Sequence, residues 1–131
     1  MAVFPRKNRL TRPDEFRRVF QRGRHRRFQS SGFTLRVRES TQPHPRLGLA
    51  LSKRALKRAV DRNRIKRLVR ESFRTHFSSL PALDIVVLGQ SELASLTNAV
   101  ILQQLGMLWG SLREFYAADR HPPSKSQTPP D

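Results

Sequence analysis

Residues 53–77, KRALKRAVDRNRIKRLVRESFRTHF, run for 25 positions without a Gly or a Pro and are rich in good helix formers. Such a run demands one long helix, at least from about Ala59. Ile65, Leu68, Val69, Ser72 and Phe73 recur at i, i+3, i+4, i+7 and i+8 and so share one face. Asn63, Arg67, Arg70 and Arg74 fall on the opposite face, which makes it a basic ridge. Leu56 and Val60 break the register of Ile65 and Val69, so the helix starts late or its first turn packs differently. A helix with one apolar stripe needs a second layer to cover that stripe, and the rest of the chain has to supply it.

Strand patterns flank this segment. Phe33, Leu35 and Val37 alternate with Thr34, Arg36 and Arg38, a period of two with a polar or basic second face. After a turn over 42–45, Leu47, Leu49 and Leu51 alternate with Gly48 and Ala50. Two neighbouring strands joined by a loop are the simplest expectation. The small residues leave one sheet face shallow, open to a ligand or to a packed helix. Residues 83–88, LDIVVL, are an apolar run closed by Gly89 and predict a short, buried, central strand.

Two more helices complete the pattern. Thr11, Pro13 and Asp14 make a helix start, with Thr11 as cap and Thr-x-x-Asp as a capping box with the shorter acid. The helix is predicted over 13–22, stopped near Gly23, with Phe16, Val19 and Phe20 on its apolar face. Thr97 and Asn98 cap the last helix, in which Ile101, Leu105, Leu108, Trp109, Leu112, Phe115 and Tyr116 form a core stripe. Residues 1–8 and the Pro-rich residues 119–131 are expected to be disordered, leaving a single domain over 9–118.

Charge narrows the function. The net charge is +16 in 131 residues, and it is not evenly spread. Residues 1–74 hold 23 basic and 5 acidic side chains, a net of +18, whereas residues 75–131 hold 3 and 5, a net of −2. A solubility coat would not concentrate in this way; a nucleic-acid surface would. With no Cys, disulfide frameworks and thiol catalysis are excluded. No apolar run approaches the roughly 18 residues of a membrane span, and the N-terminus has no signal-peptide stretch, so a cytoplasmic protein with no membrane partner is expected.

A self-contained catalytic site is not in view. The ten acids are scattered, whereas a phosphodiesterase that works alone clusters carboxylates around Mg²⁺. His25, His44, His76 and His121 lack metal-ligand spacing, and there is no phosphate-loop, dinucleotide or G-x-S-x-G motif, nor any sign of a small-molecule substrate. What remains is a basic helix beside aromatic side chains. Arg forks grip phosphates and Asn can read a base edge or sugar, which suits structured RNA.

Residues 55–73, with VDRNRIKRLVRESF at their heart and LGLALSKR just before, resemble the protein component of bacterial ribonuclease P. The N-terminal part fits the same pattern, with Arg9, Leu10, Phe16, Phe20 and Gly23 in order. The resemblance spans about residues 8–116. It implies an α+β fold of order α-β-β-β-α-β-α, a single sandwich-like domain with a four-stranded mixed sheet and a left-handed β-α-β crossover. It also implies a protein subunit that assists a catalytic RNA in removing the 5′ leader of precursor tRNA, with Mg²⁺ held mainly by the RNA. The partners so implied are that catalytic RNA and the precursor tRNA with its leader.

Carried over by position, Arg62, Asn63, Arg64, Lys66, Arg67 and Arg70 are expected to contact the catalytic RNA or the nearby leader junction. Phe16, Phe20, Arg36, Ser52 and Lys53 are expected to form the cleft for the single-stranded leader. Arg36 stands where relatives often carry an aromatic, which favours a phosphate contact over stacking there. The same residues also allow a different class, a structural RNA-binding protein or RNA chaperone with no part in cleavage.

Overall fold

The computed structural model describes residues 9–10, 12–20 and 26–119. The elements in chain order are α1 (Pro13–Phe20), β1 (Arg26–Gln29), β2 (Phe33–Glu39), β3 (Arg46–Ala50), α2 (Ala59–His76), β4 (Leu83–Gly89) and α3 (Asn98–Asp119). Single turns of 3-10 helix, Phe77–Ser79 and Ser91–Ser95, follow α2 and β4. This is the α+β order expected, with β1 added by the family pattern and not by any periodicity in RRFQ. Thr11, Gly23, the side chain of Phe20 and the two chain ends lie outside the described residues.

The sheet order is β1-β2-β4-β3, antiparallel except for the parallel pair β3 and β4. Strands β2 and β3 are therefore not neighbours, contrary to the simplest expectation; β4 comes between them. The reason lies in apolarity. Strand β4 is buried from Leu83 through Val87, so it needs a strand on each side and cover on both faces. A centre position satisfies both needs.

One face of the sheet carries Phe33, Leu35, Val37, Leu47, Ile85 and Val87, and against it lie the apolar stripes of α2 and α3. Ile65, Val69, Ser72 and Phe73 of α2 are buried there, as are Ile101, Leu105, Trp109 and Leu112 of α3. Ser72 sits inside an apolar stripe for a polar reason: its hydroxyl accepts the Trp109 indole N–H at 2.8 Å in the core. An indole N–H left unpaired in that setting would cost about 1–3 kcal/mol. Helix α2 does start late, at Ala59; Leu56 is buried in the preceding turn while Val60 is 58% exposed.

The second face is covered by the short helix α1, through a smaller cluster of Leu10, Val19 and Val86 with Phe16, Ala50 and Leu88 beside it. Its start differs by one residue from the expected capping box. The Arg12 N–H donates to Glu15 Oε1 at 3.1 Å, so the reciprocal half of the box comes from Glu15, while Asp14 lies 3.4 Å from the Arg12 guanidinium. The longer acid reaches back over the turn, which Asp cannot do as well.

Candidate nucleic-acid interface

The α1 face of the sheet is ordered in rows. Arg27, Arg36, Val86 and Gly48 are in register across β1, β2, β4 and β3. At the β3 end, Phe16 lies on Gly48: a Cβ there would come within 2.7 Å of the Phe16 ring and 3.0 Å of Leu10 Cβ. The glycine is thus a seat for α1. Arg36 flanks the same helix from β2, about 10 Å away by strand spacing. The next row, Thr34, Leu88 and Ala50, is only partly covered and forms a shallow floor. At its end the chain turns through Ser52 and Lys53, both exposed; Ser52 Oγ accepts the Ala55 N–H at 3.1 Å and its carbonyl accepts the Leu56 N–H. Of the two uses expected for the small residues, Gly48 receives a helix, while Ala50 is half-buried beside the same cluster.

Around the edge of β3 this floor meets the basic ridge. Arg9 bridges Leu47 in parallel, the Leu10 N–H donating to the Leu47 carbonyl at 2.9 Å. Beyond it an open cleft of about 210 Å³ is lined by Arg9, Leu10, Phe16, Gly48, Lys66 and Arg70 among others. Three cations and one aromatic ring share this cleft. Partial burial lowers the affinity of Arg70 for its proton, and repulsion from Arg9 lowers it further. The repulsion between these two guanidiniums is a cost that a bound anion would offset.

The six residues of the Arg-Asn-Arg segment and ridge do not act alike. Asn63, Arg67 and Arg70 are exposed on the outer face of α2, and Lys66 is half-buried at the cleft. Arg62 turns back instead, donating from Nη1 to the carbonyls of Leu56 (2.7 Å) and Lys57 (3.1 Å) and holding the turn before α2. Arg64 reaches the start of α3, with Nη1 on Asn98 Oδ1 at 2.6 Å and Nη2 on the carbonyls of Leu93 (3.2 Å) and Leu96 (3.3 Å). Those two guanidiniums have protein acceptors. Arg74, at the end of the ridge, pairs with Glu71, whose carboxyl that hydrogen bond holds below its ordinary range.

Residues that sequence reasoning passed over form the base of α1. Arg46 forks onto Asp84, from Nε to Oδ1 at 2.9 Å and from Nη2 to Oδ2 at 3.0 Å, and its Nη1 donates to Glu15 Oε2 at 3.0 Å. The hydrogen bonds that Arg46 donates to Asp84 raise the Arg46 pKa above the usual guanidinium range against the effect of burial. One signal was available: Asp84 is a lone carboxylate in an apolar strand, and a buried carboxylate needs a cation. Among the described residues no three His, Asp or Glu side chains gather in a way that could hold a metal ion. Asp84 and Glu15 share Arg46, which occupies both carboxylates, so this pair does not fit a protein-held Mg²⁺. No helix among the described residues is long and apolar enough to cross a membrane.

Comparison with known proteins agrees with this architecture. The family model described as Ribonuclease P matches residues 4–113. The chain is 47% identical to the Ribonuclease P protein component of Thioalkalivibrio sulfidiphilus, over 86% of this chain and 94% of that one. It is also 47% identical to that of Methylococcus capsulatus, over 81% of each. Among solved structures, the RNase P protein of Staphylococcus aureus superposes with a TM-score of 0.73 at 28% identity, covering 79% of this chain and 94% of the other. The RNase P protein of Thermotoga maritima does so with a TM-score of 0.67 at 26% identity, covering 78% and 96%.

Proposed function

This chain belongs to the ribonuclease P protein family and is thus a subunit of a tRNA-processing endoribonuclease; from that premise we propose that it binds the catalytic RNA and the 5′ leader with two different parts of one surface. The observation that carries the reading is the continuity of cations from the outer ridge of α2, through Lys66 and Arg70, around the edge of β3 to Phe16. Asn63, Arg67 and Arg70 face outward for the structured RNA. Arg62 and Arg64 serve that contact indirectly, by fixing the turn before α2 and the start of α3. The single-stranded leader runs over the floor beside Phe16, between Arg36 on one side and Ser52 and Lys53 on the other. Phe20 belongs to this cleft by its place in the family pattern.

In this reading the chemistry, Mg²⁺-dependent hydrolysis of one phosphodiester bond in the cytoplasm, takes place in the RNA. The protein contributes cations and shape. Its cations reduce repulsion between two polyanions, which lowers the Mg²⁺ concentration needed, and the cleft extends substrate binding past the cleavage point into the leader. With about 6 to 10 phosphates neutralised, RNA affinity should fall roughly 10³-fold to 10⁵-fold between about 50 and 200 mM salt.

The test is cleavage of precursor tRNA at low Mg²⁺ by the catalytic RNA alone, the protein alone and the two together. Rescue only by the pair is expected. Cleavage by the protein alone would place a catalytic centre in this chain, and no rescue by the pair would leave a structural RNA-binding role without a part in cleavage.

A further inference from the structure

Below the row that holds Arg36 and Gly48 lies another, which the RNA-facing reading does not use. Arg38, Asp84 and Arg46 stand side by side on β2, β4 and β3, on the face that α1 covers. Arg46 carries Glu15 from the first turn of α1, and Glu15 in turn holds the Arg12 N–H at the helix start. Arg38 Nη1 donates to the Arg18 carbonyl at 2.6 Å, near the other end of the same helix. A cation at a helix C-terminus is favoured there by the helix dipole as well. Both ends of α1 are therefore tied to one row of the sheet.

The burial of this row matters. The side chains of Arg46 and Asp84 are 10% and 2% exposed, so this guanidinium is not presented to a phosphate. A helix of eight residues does not persist by itself in water, and its position has to come from tertiary bonds. The apolar cluster beneath it is small, with Leu10, Val19 and Val86 as its buried members.

We infer that Glu15, Arg38, Arg46 and Asp84 are positioning residues: they hold α1, and with it Phe16, at the height above the sheet that leader binding requires. The inference rests on the reading that the groove beside α1 receives the leader. It assigns two arginines of a strongly basic protein to the geometry of the site, not to contact with RNA.

The test uses the protein assembled with the catalytic RNA, comparing affinity for leader-bearing precursor and for mature tRNA over a range of salt. Glu15→Ala should weaken precursor binding about tenfold and leave mature tRNA binding unchanged, because ordering of the helix must then be supplied on binding. The sign is informative, since removing an acid from a cationic surface would by electrostatics alone tighten RNA binding. Glu15→Gln, whose amide oxygen still accepts hydrogen bonds, should recover most of the loss. Arg38→Met should also weaken precursor binding while leaving the slope of log affinity against log salt at its original value. Unchanged or tighter precursor binding by Glu15→Ala would overturn the inference. So would a slope smaller by about one for Arg38→Met, the mark of a lost phosphate contact. Phe16→Ala runs in parallel: if it fails to separate precursor from mature tRNA, the leader reading itself falls, whereas separation by Phe16→Ala without any by Glu15→Ala overturns the positioning role alone.

Discussion

Helices α1 and α2 both present basic side chains, yet they come by their positions in opposite ways. Helix α2 has 18 residues, a continuous apolar stripe and no breaker, so its own sequence orients it and its outer ridge is free to serve a partner. Helix α1 has eight residues and depends on ties to the sheet through Glu15 and the Arg18 carbonyl. The contrast shows that an arginine's role in this chain follows from what lies within reach of it. Arg67 and Arg70 look outward, whereas Arg38, Arg46, Arg62 and Arg64 are engaged with carbonyls and carboxylates of the protein itself.

Substitutions can break that contrast in order of expected size. The largest effect belongs to Arg67→Ala combined with Arg70→Ala. Affinity for the catalytic RNA should fall about 10²-fold, and the salt slope should shrink by roughly 1.5, as for two lost phosphate contacts. Filter binding at several salt concentrations measures both. An equally reduced slope with Arg64→Ala would erase the distinction between outward and inward arginines.

Arg64→Ala is expected to act on stability instead. It leaves the acceptors of the Ser91–Ser95 turn and the start of α3 without their cation, at a cost of about 1.5–3 kcal/mol in chemical denaturation. Gly48→Ala comes next. Its Cβ has no room beneath Phe16 unless α1 shifts, so about 1 kcal/mol of stability should be lost, with precursor binding weakened more than mature tRNA binding. The smallest effect sharpens the comparison from the other side. Arg70→Met removes repulsion from Arg9 and should raise the stability of the free protein by a few tenths of a kcal/mol while weakening its hold on RNA. A residue whose removal stabilises the free chain but weakens the complex is kept for the complex.

Much of the fold was legible because periodicity is a local property. The mismatch of Leu56 and Val60 with Ile65 and Val69 left a late start or a differently packed first turn as the two readings of α2, of which the structure has the late start, and the central place of β4 followed from an apolar run. The capping box of α1 was displaced by one residue because Asp14 and Glu15 are both acids near a helix start, and only the reach of the longer side chain separates them. Strand neighbours were misjudged for a different reason: adjacency in sequence favours pairing, but β4 needed cover on both sides.

By itself the sequence determined that the positive charge is concentrated in residues 1–74 and that one helix carries an apolar face against a basic one. Tertiary structure alone decided which cations are available. Charge is counted along the chain, but its use depends on acceptors from distant segments: Asp84 lies 38 residues from Arg46, and Asn98 lies 34 from Arg64. Until those segments are brought together, an arginine that will grip a phosphate and one that will hold a helix in place look the same.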